Sequence, residues 1–141
     1  MKLRFTLILA SLPALSFFSA AHAQSAQPPR GTATPVFAQG IPNIPGKSLK
    51  SVVVNYPPGA KSTSHHHAKS AFIFAYVLSG SVRSQVNDEP VKIYRAGEFW
   101  SESPGAHHKV SENASATEPA QLLAVFVVDT DDQPLTVPDH P

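Results

Sequence analysis

Apolar residues in this chain come in short runs, each closed by glycine or proline. Residues 48–56 carry Leu49, Val52, Val53, Val54 and Tyr56 and stop at Pro57-Pro58-Gly59, which reads as a strand ended by a turn. Residues 72–78 are apolar on both faces, the pattern of a strand covered on both sides. After Ser79-Gly80, residues 81–86 alternate as a half-exposed strand does. Asn87-Asp88-Glu89-Pro90 predicts a hairpin turn into a strand over 91–94, and Arg95-Ala96-Gly97 a turn into Glu98-Phe99-Trp100. Ser103-Pro104-Gly105 precedes a strand over 107–112, 113–119 is polar loop, and 121–128 is an apolar strand. Thr34-Pro35-Val36-Phe37 predicts a first edge strand, and residues 40–46 a proline-punctuated loop. After residue 23 no stretch has the period of an amphipathic helix of three turns. About eight short strands with Gly and Pro between them predict an all-β barrel or sandwich.

The first residues follow a different logic. Lys2 and Arg4 precede an apolar run from Phe5 to about Ala20, and Ala21-His22-Ala23 has the small-x-small form of a cleavage site. This predicts a removed signal peptide over 1–23 and a protein working in a periplasm or secreted beyond it. A membrane anchor is the weaker reading, because the run is short and contains Pro13. The expected organisation is then a flexible or extended leader over 24–46, a barrel over 47–129, and a proline-rich, acidic tail over 130–141 laid on the surface.

Composition narrows the function classes. The 141 residues set one domain as the expectation. The chain has no cysteine, which excludes disulfides and thiolate chemistry. A formal charge of +1 without a Lys/Arg cluster gives no footprint for nucleic acid. The apolar surface of residues 72–78 exceeds what one small barrel hides and predicts a homodimer.

The candidate chemistry is histidine. His65 and His67 are two apart, so on a strand both project to one face, with His66 opposite. His107 and His108 are neighbours and also face opposite ways. His65, His67 and one of His107 or His108 are therefore three imidazoles able to hold a divalent metal and leave positions open. The ordinary alternative is a solvated, idle surface loop.

The spacing of landmarks resembles the cupin superfamily. Its first motif reads G-x5-H-x-H-x3–4-E-x6-G, and Gly59, His65, His67 and Gly80 fit it. Its second reads G-x5-P-x-G-x2-H-x3-N, and Gly97, Pro104, Gly105, His108 and Asn113 fit loosely, with Pro104 and Asn113 each one place late. The resemblance covers about residues 47–129. It implies a single-domain conical jelly-roll barrel with a divalent transition metal (Mn, Fe, Zn, Ni or Cu) on His65, His67 and His108. One departure matters: the motif glutamate is missing. Counting back from Gly80 finds Ile73, and counting forward from His67 finds Ala71. Either the site uses three histidines, as in cupins resembling thiol dioxygenases, or metal binding is weakened and an apolar ligand pocket remains.

Glu102 is a substitute ligand or base, with a solvated turn carboxylate as its ordinary reading. His107 and Glu102 are the candidate proton-transfer groups. Ile73, Ala75, Val77 and Phe126 are the expected lining, suited to a small ligand of low charge. Trp100, Phe99, Tyr76 and Tyr94 read as core, and Asn113-Ala114-Ser115 matches a glycosylation acceptor pattern. Three functions follow: a metal-dependent enzyme of dioxygenase, lyase or isomerase type on a small organic substrate, a non-catalytic binder of metal or small ligand, or, more weakly, an auxiliary structural subunit.

Overall fold

Alternation of side chains builds the core. A computed structural model describes residues 27–140; the expected signal peptide over 1–23 lies outside the described residues. Ten strands follow one another: β1 Thr32–Gly40, β2 Lys47–Tyr56, β3 His65–His67, β4 Phe72–Ser79, β5 Ser81–Val86, β6 Lys92–Arg95, β7 Phe99–Glu102, β8 His107–Asn113, β9 Ala120–Asp129 and β10 Thr136–Pro138. Along β9, Leu122, Ala124, Phe126 and Val128 are buried, and along β4, Ile73, Ala75 and Val77. Antiparallel pairing sets Ile73 beside Phe126, Ala75 beside Ala124 and Val77 beside Leu122, so one continuous apolar face forms.

The strands form two five-stranded sheets, ordered β1-β2-β9-β4-β7 and β10-β3-β8-β5-β6, with all pairs antiparallel. The chain crosses between sheets at nearly every connection, which is the jelly-roll topology expected. Among the described residues there is no helix. Two buried clusters fill the interior, one around Tyr56, Val77, Val82 and Trp100, the other around Ile73, Phe126 and Val128. Both contribute to the wall of one cavity.

Three expectations change. The first edge strand is longer than 34–37: β1 spans nine residues paired along β2, so part of the expected leader is sheet. The tail is not merely laid on the surface, because β10 adds to the edge of β3, pairing Thr136 with His67 and Pro138 with His65. Phe99 is not core: it is 61% exposed, whereas Trp100 beside it is buried.

Two residues hold the connections near the site. Asn113, 5% exposed, donates from Nδ2 to the carbonyls of Tyr56 (3.2 Å), Pro57 (3.0 Å) and Glu118 (2.7 Å), and its Oδ1 accepts from the Ser115 amide at 2.8 Å. It is thus a buried staple between loops, committed on both ends of its amide, rather than an accessible glycan acceptor. Gly80 is the sole residue between β4 and β5, with φ of 68°, and an added Cβ would run into the backbone of Pro119 and Ala120. Gly59 has φ of 69° and open space around it. Gly80→Ala is expected to destabilise the protein by more than the roughly 1–2 kcal/mol of left-handed strain alone, and by more than Gly59→Ala. Denaturant titration of both variants checks this; equal losses would contradict it.

Candidate metal centre

Strand register assembles the site. His65 and His67 share a face of β3. His108 on β8 is the cross-strand partner of His65, so it shares that face too. The three rings lie with centroids 4.8 Å (His65–His67), 5.3 Å (His65–His108) and 5.9 Å (His67–His108) apart. One ring nitrogen from each lies within 4.8 Å of the others. They open onto a cavity of about 290 Å³, near the lower end for small-molecule sites.

Glu102 completes the constellation. Its solvated-turn reading is corrected: the residue is 3% exposed, because β7 alternates outward and inward and places Trp100 and Glu102 inside. Its Oε2 stands 3.1 Å from His67 Nε2, and its Oε1 3.4 Å from His108 Nδ1. Trp100 Nε1 donates to Oε1 at 3.0 Å. The cross-strand partner of Glu102 is Ile73, the residue found by counting back from Gly80 to the missing motif glutamate. The carboxylate that β4 lacks is supplied from the adjoining position on β7.

His107 is not brought to this site, which corrects its expected role as a proton-transfer group there. It pairs with His66 across β3 and β8, and both rings occupy the opposite face of the sheet. Of the expected lining, Ile73, Ala75 and Phe126 border the cavity, while Val77 lies in the packed interior. The sequence reading missed Val52, Val54, Leu122 and Ala124 in the apolar wall. It also missed the polar corner where the Tyr56 hydroxyl meets Ser62 Oγ at 2.8 Å and Ser111 Oγ at 2.7 Å. The inward alternation of β2 and β9 was the available signal for the wall.

Backbone carbonyls fix two of the imidazoles. A carbonyl only accepts, so His65 Nδ1–H donates to Thr63 O at 2.7 Å and His67 Nδ1–H to Leu135 O at 3.4 Å. Each ring then keeps its lone pair on Nε2, the tautomer that binds metal. Ser84 Oγ meets His108 Nε2 at 2.9 Å and leaves Nδ1 toward Glu102.

The donor set fits a cation. Among the described residues, His67 Nε2 and Glu102 Oε2 are both buried, stand 3.1 Å apart, and have no other hydrogen-bond partner. Two facing lone pairs taken out of water are costly unless something positive lies between them. Three imidazoles and one carboxylate suit a divalent transition ion.

Burial pushes the His108 imidazole down to about 4, against the raising pull of the Glu102 carboxylate. Burial also lowers His65, opposed by the Thr63 carbonyl. Burial by itself would raise Glu102, but His67 and His108, with the Trp100 N–H, more than offset it and hold the carboxyl below its ordinary value. His65 and His108 are therefore neutral and the Glu102 carboxylate charged at pH 7.

A pH effect follows for metal-free protein. Between pH 6.5 and 4 the unfolded chain protonates His108 while the folded chain does not, so stability falls as pH falls. At about 1.4 kcal/mol per pH unit the loss reaches roughly 3 kcal/mol by pH 4. Melting curves of chelated protein should show Tm dropping across this window, with a shallower drop in His108→Gln. A Tm independent of pH in the parent protein would contradict the burial argument.

Residues 52–126 match the family model described as a cupin domain. Among solved structures, the chain is similar to a conserved protein with a double-stranded β-helix domain from Klebsiella pneumoniae (TM-score 0.58, 19% identity, covering 72% of this chain and 79% of that one). It is similar to TT1209 from Thermus thermophilus (TM-score 0.56, 25% identity, 70% and 84% covered). It also resembles the DMSP lyase DddQ from Ruegeria pomeroyi DSS-3 (TM-score 0.60, 19% identity), spanning 79% of this chain but 53% of that one. No curated protein sequence matches it. A family model covering more than half of the chain, over a barrel of the same fold, makes this protein a member of the cupin superfamily.

Proposed function

We propose that this protein holds a divalent transition metal (Mn, Fe, Zn, Ni or Cu) on His65, His67 and His108, with Glu102 as the carboxylate ligand, and acts there on a small organic molecule. The observation that carries the reading is the unpartnered pair of buried atoms, His67 Nε2 and Glu102 Oε2, at 3.1 Å. When bound, the metal would supply Lewis acidity or a site for redox chemistry. The chain's own residues do the rest. Val52, Val54, Ile73, Leu122 and Phe126 exclude water and receive an apolar body. The Tyr56–Ser62–Ser111 hydroxyls offer a substrate hydrogen bonds at one corner. Burial raises the Tyr56 phenol, with Ser111 and Ser62 pulling the other way, so the phenol stays protonated and can donate. Arg30 stands at the cavity's border and favours a ligand with an anionic end, whereas the Lys61 ammonium there is paired with Glu112 at 3.1 Å.

The second reading is a non-catalytic binder that captures metal or ligand in the same cavity; the shared fold alone does not choose between them. Turnover of a substrate panel, with and without oxygen, separates the two. Export to a periplasm or beyond rests on the leader pattern of Lys2, Arg4 and Ala21-His22-Ala23.

A homodimer is part of the proposal. Phe72, Phe74 and Leu78 on β4 and Phe99 on the edge strand β7 are 39–61% exposed, and the rings of Phe74 and Phe99 touch at 5.5 Å. A second copy covering this aromatic patch would remove it from water.

Untagged protein should contain at least one metal per chain by elemental analysis. The His65→Ala, His67→Ala double variant should lose it, and Glu102→Gln should weaken its retention against a chelator by at least about tenfold. Undiminished metal in the double variant would sink the site. For the dimer, sedimentation at micromolar concentration should give two copies, and Phe74→Glu with Phe99→Glu should give one; a monomeric parent protein would refute it.

A further inference from the structure

The face of β3 and β8 turned away from the cavity carries its own cluster. His66 and His107 stack with centroids 4.1 Å apart and planes 10° from parallel. Asp139, just beyond β10, reaches both: Oδ1 lies 3.1 Å from His66 Nδ1 and Oδ2 lies 2.8 Å from His107 Nε2. Ser64 Oγ donates to the same Oδ2 at 2.5 Å and lies 3.1 Å from His107 Nε2. Ser64 and Asp139 thus meet the same nitrogen of His107. A nucleophile relay needs the hydroxyl and the carboxylate on opposite ring nitrogens, so this is not one. Ser64 instead orients the carboxylate.

We propose that His66, His107 and Asp139 form a second divalent-metal site, for Zn(II), Ni(II) or Cu(II), and that metal bound there pins β10 across the inner cavity. Three arguments carry this. One ligand atom from each residue lies within 4.8 Å of the others, and the backbone register of two paired strands holds both imidazoles in place beforehand. Two imidazoles with one carboxylate are a donor set of the borderline class. The residues are exposed or half-buried, with side chains of His66, His107 and Asp139 at 54%, 26% and 21%, so remaining coordination positions open to water.

The consequence concerns the cavity. β10 is three residues long and, among the described strands, pairs with β3 alone. Thr136 and Pro138 border the inner cavity, and the preceding Leu135 carbonyl orients His67. Without metal, side-chain hydrogen bonds from Ser64, His66 and His107 hold Asp139. A cation would replace the two from imidazole with coordinate bonds and tie the C-terminal strand to β3 and β8.

Zn(II) uptake by the mature protein tests this, measured by chelator competition. The parent protein should take up two equivalents, and His66→Gln with His107→Gln should take up one fewer. His65→Ala with His67→Ala should lose the other equivalent, so failure of the inner site and failure of the outer one give different counts. Identical uptake by the parent and the outer double variant would overturn the proposal. Hydrogen exchange at the Val137 and Asp139 amides, which face β3, reads the pinning. It should slow on Zn(II) addition in the parent and in the inner variant, and not in the outer variant. No slowing in the parent would overturn the pinning.

Discussion

The site depends on one register. Pairing His65 with His108 places two imidazoles on one face, and the two-residue repeat of β3 adds a third. A slip of β3 by one residue would turn His66 inward and take both His65 and His67 out of the cavity. The register is set by what surrounds it. β8 also pairs with β5, whose Val82 and Ser84 are buried, and Ser84 grips His108. The Asn113 staple at the far end of β8 fixes that strand against the loops around Pro57 and Glu118.

The second constraint is a buried charge. A carboxylate 3% exposed survives only with compensation. Glu102 has the Trp100 N–H on one oxygen, while its other oxygen faces a lone-pair nitrogen. Packing alone would have been served by a leucine here, between Ile73 and the aromatic wall. A carboxyl at the one position adjoining the missing motif acid, turned toward two histidines, is what a cation requires. Under the proposed metal assignment, the chain keeps a carboxylate beside its histidines while taking it from the neighbouring strand.

How much of this was legible in the sequence follows from where the information lies. The barrel and the inward set His65, His67 and His108 were readable, because strand alternation and glycine-flanked motif spacing are local patterns. Glu102 was readable as a candidate but not as a buried one. Its neighbour Ile73 is distant in sequence, and only the pairing of β4 with β7 makes them adjacent. His107 reads as part of the site because its neighbour belongs there; the register turns it away. The tail reads as polar and proline-rich, so its short pairing with β3, and the contact of Asp139 with His66 and His107, emerge only from the folded edge.

Anomalous diffraction from crystals of native protein, collected at the absorption edge of the metal it carries, would locate the ion. A peak is expected between His65, His67, His108 and Glu102, at the roughly 2.0–2.2 Å typical of nitrogen and carboxylate ligands. A cavity without a peak, or a metal bound to the histidines with Glu102 turned away from it, would contradict this assignment.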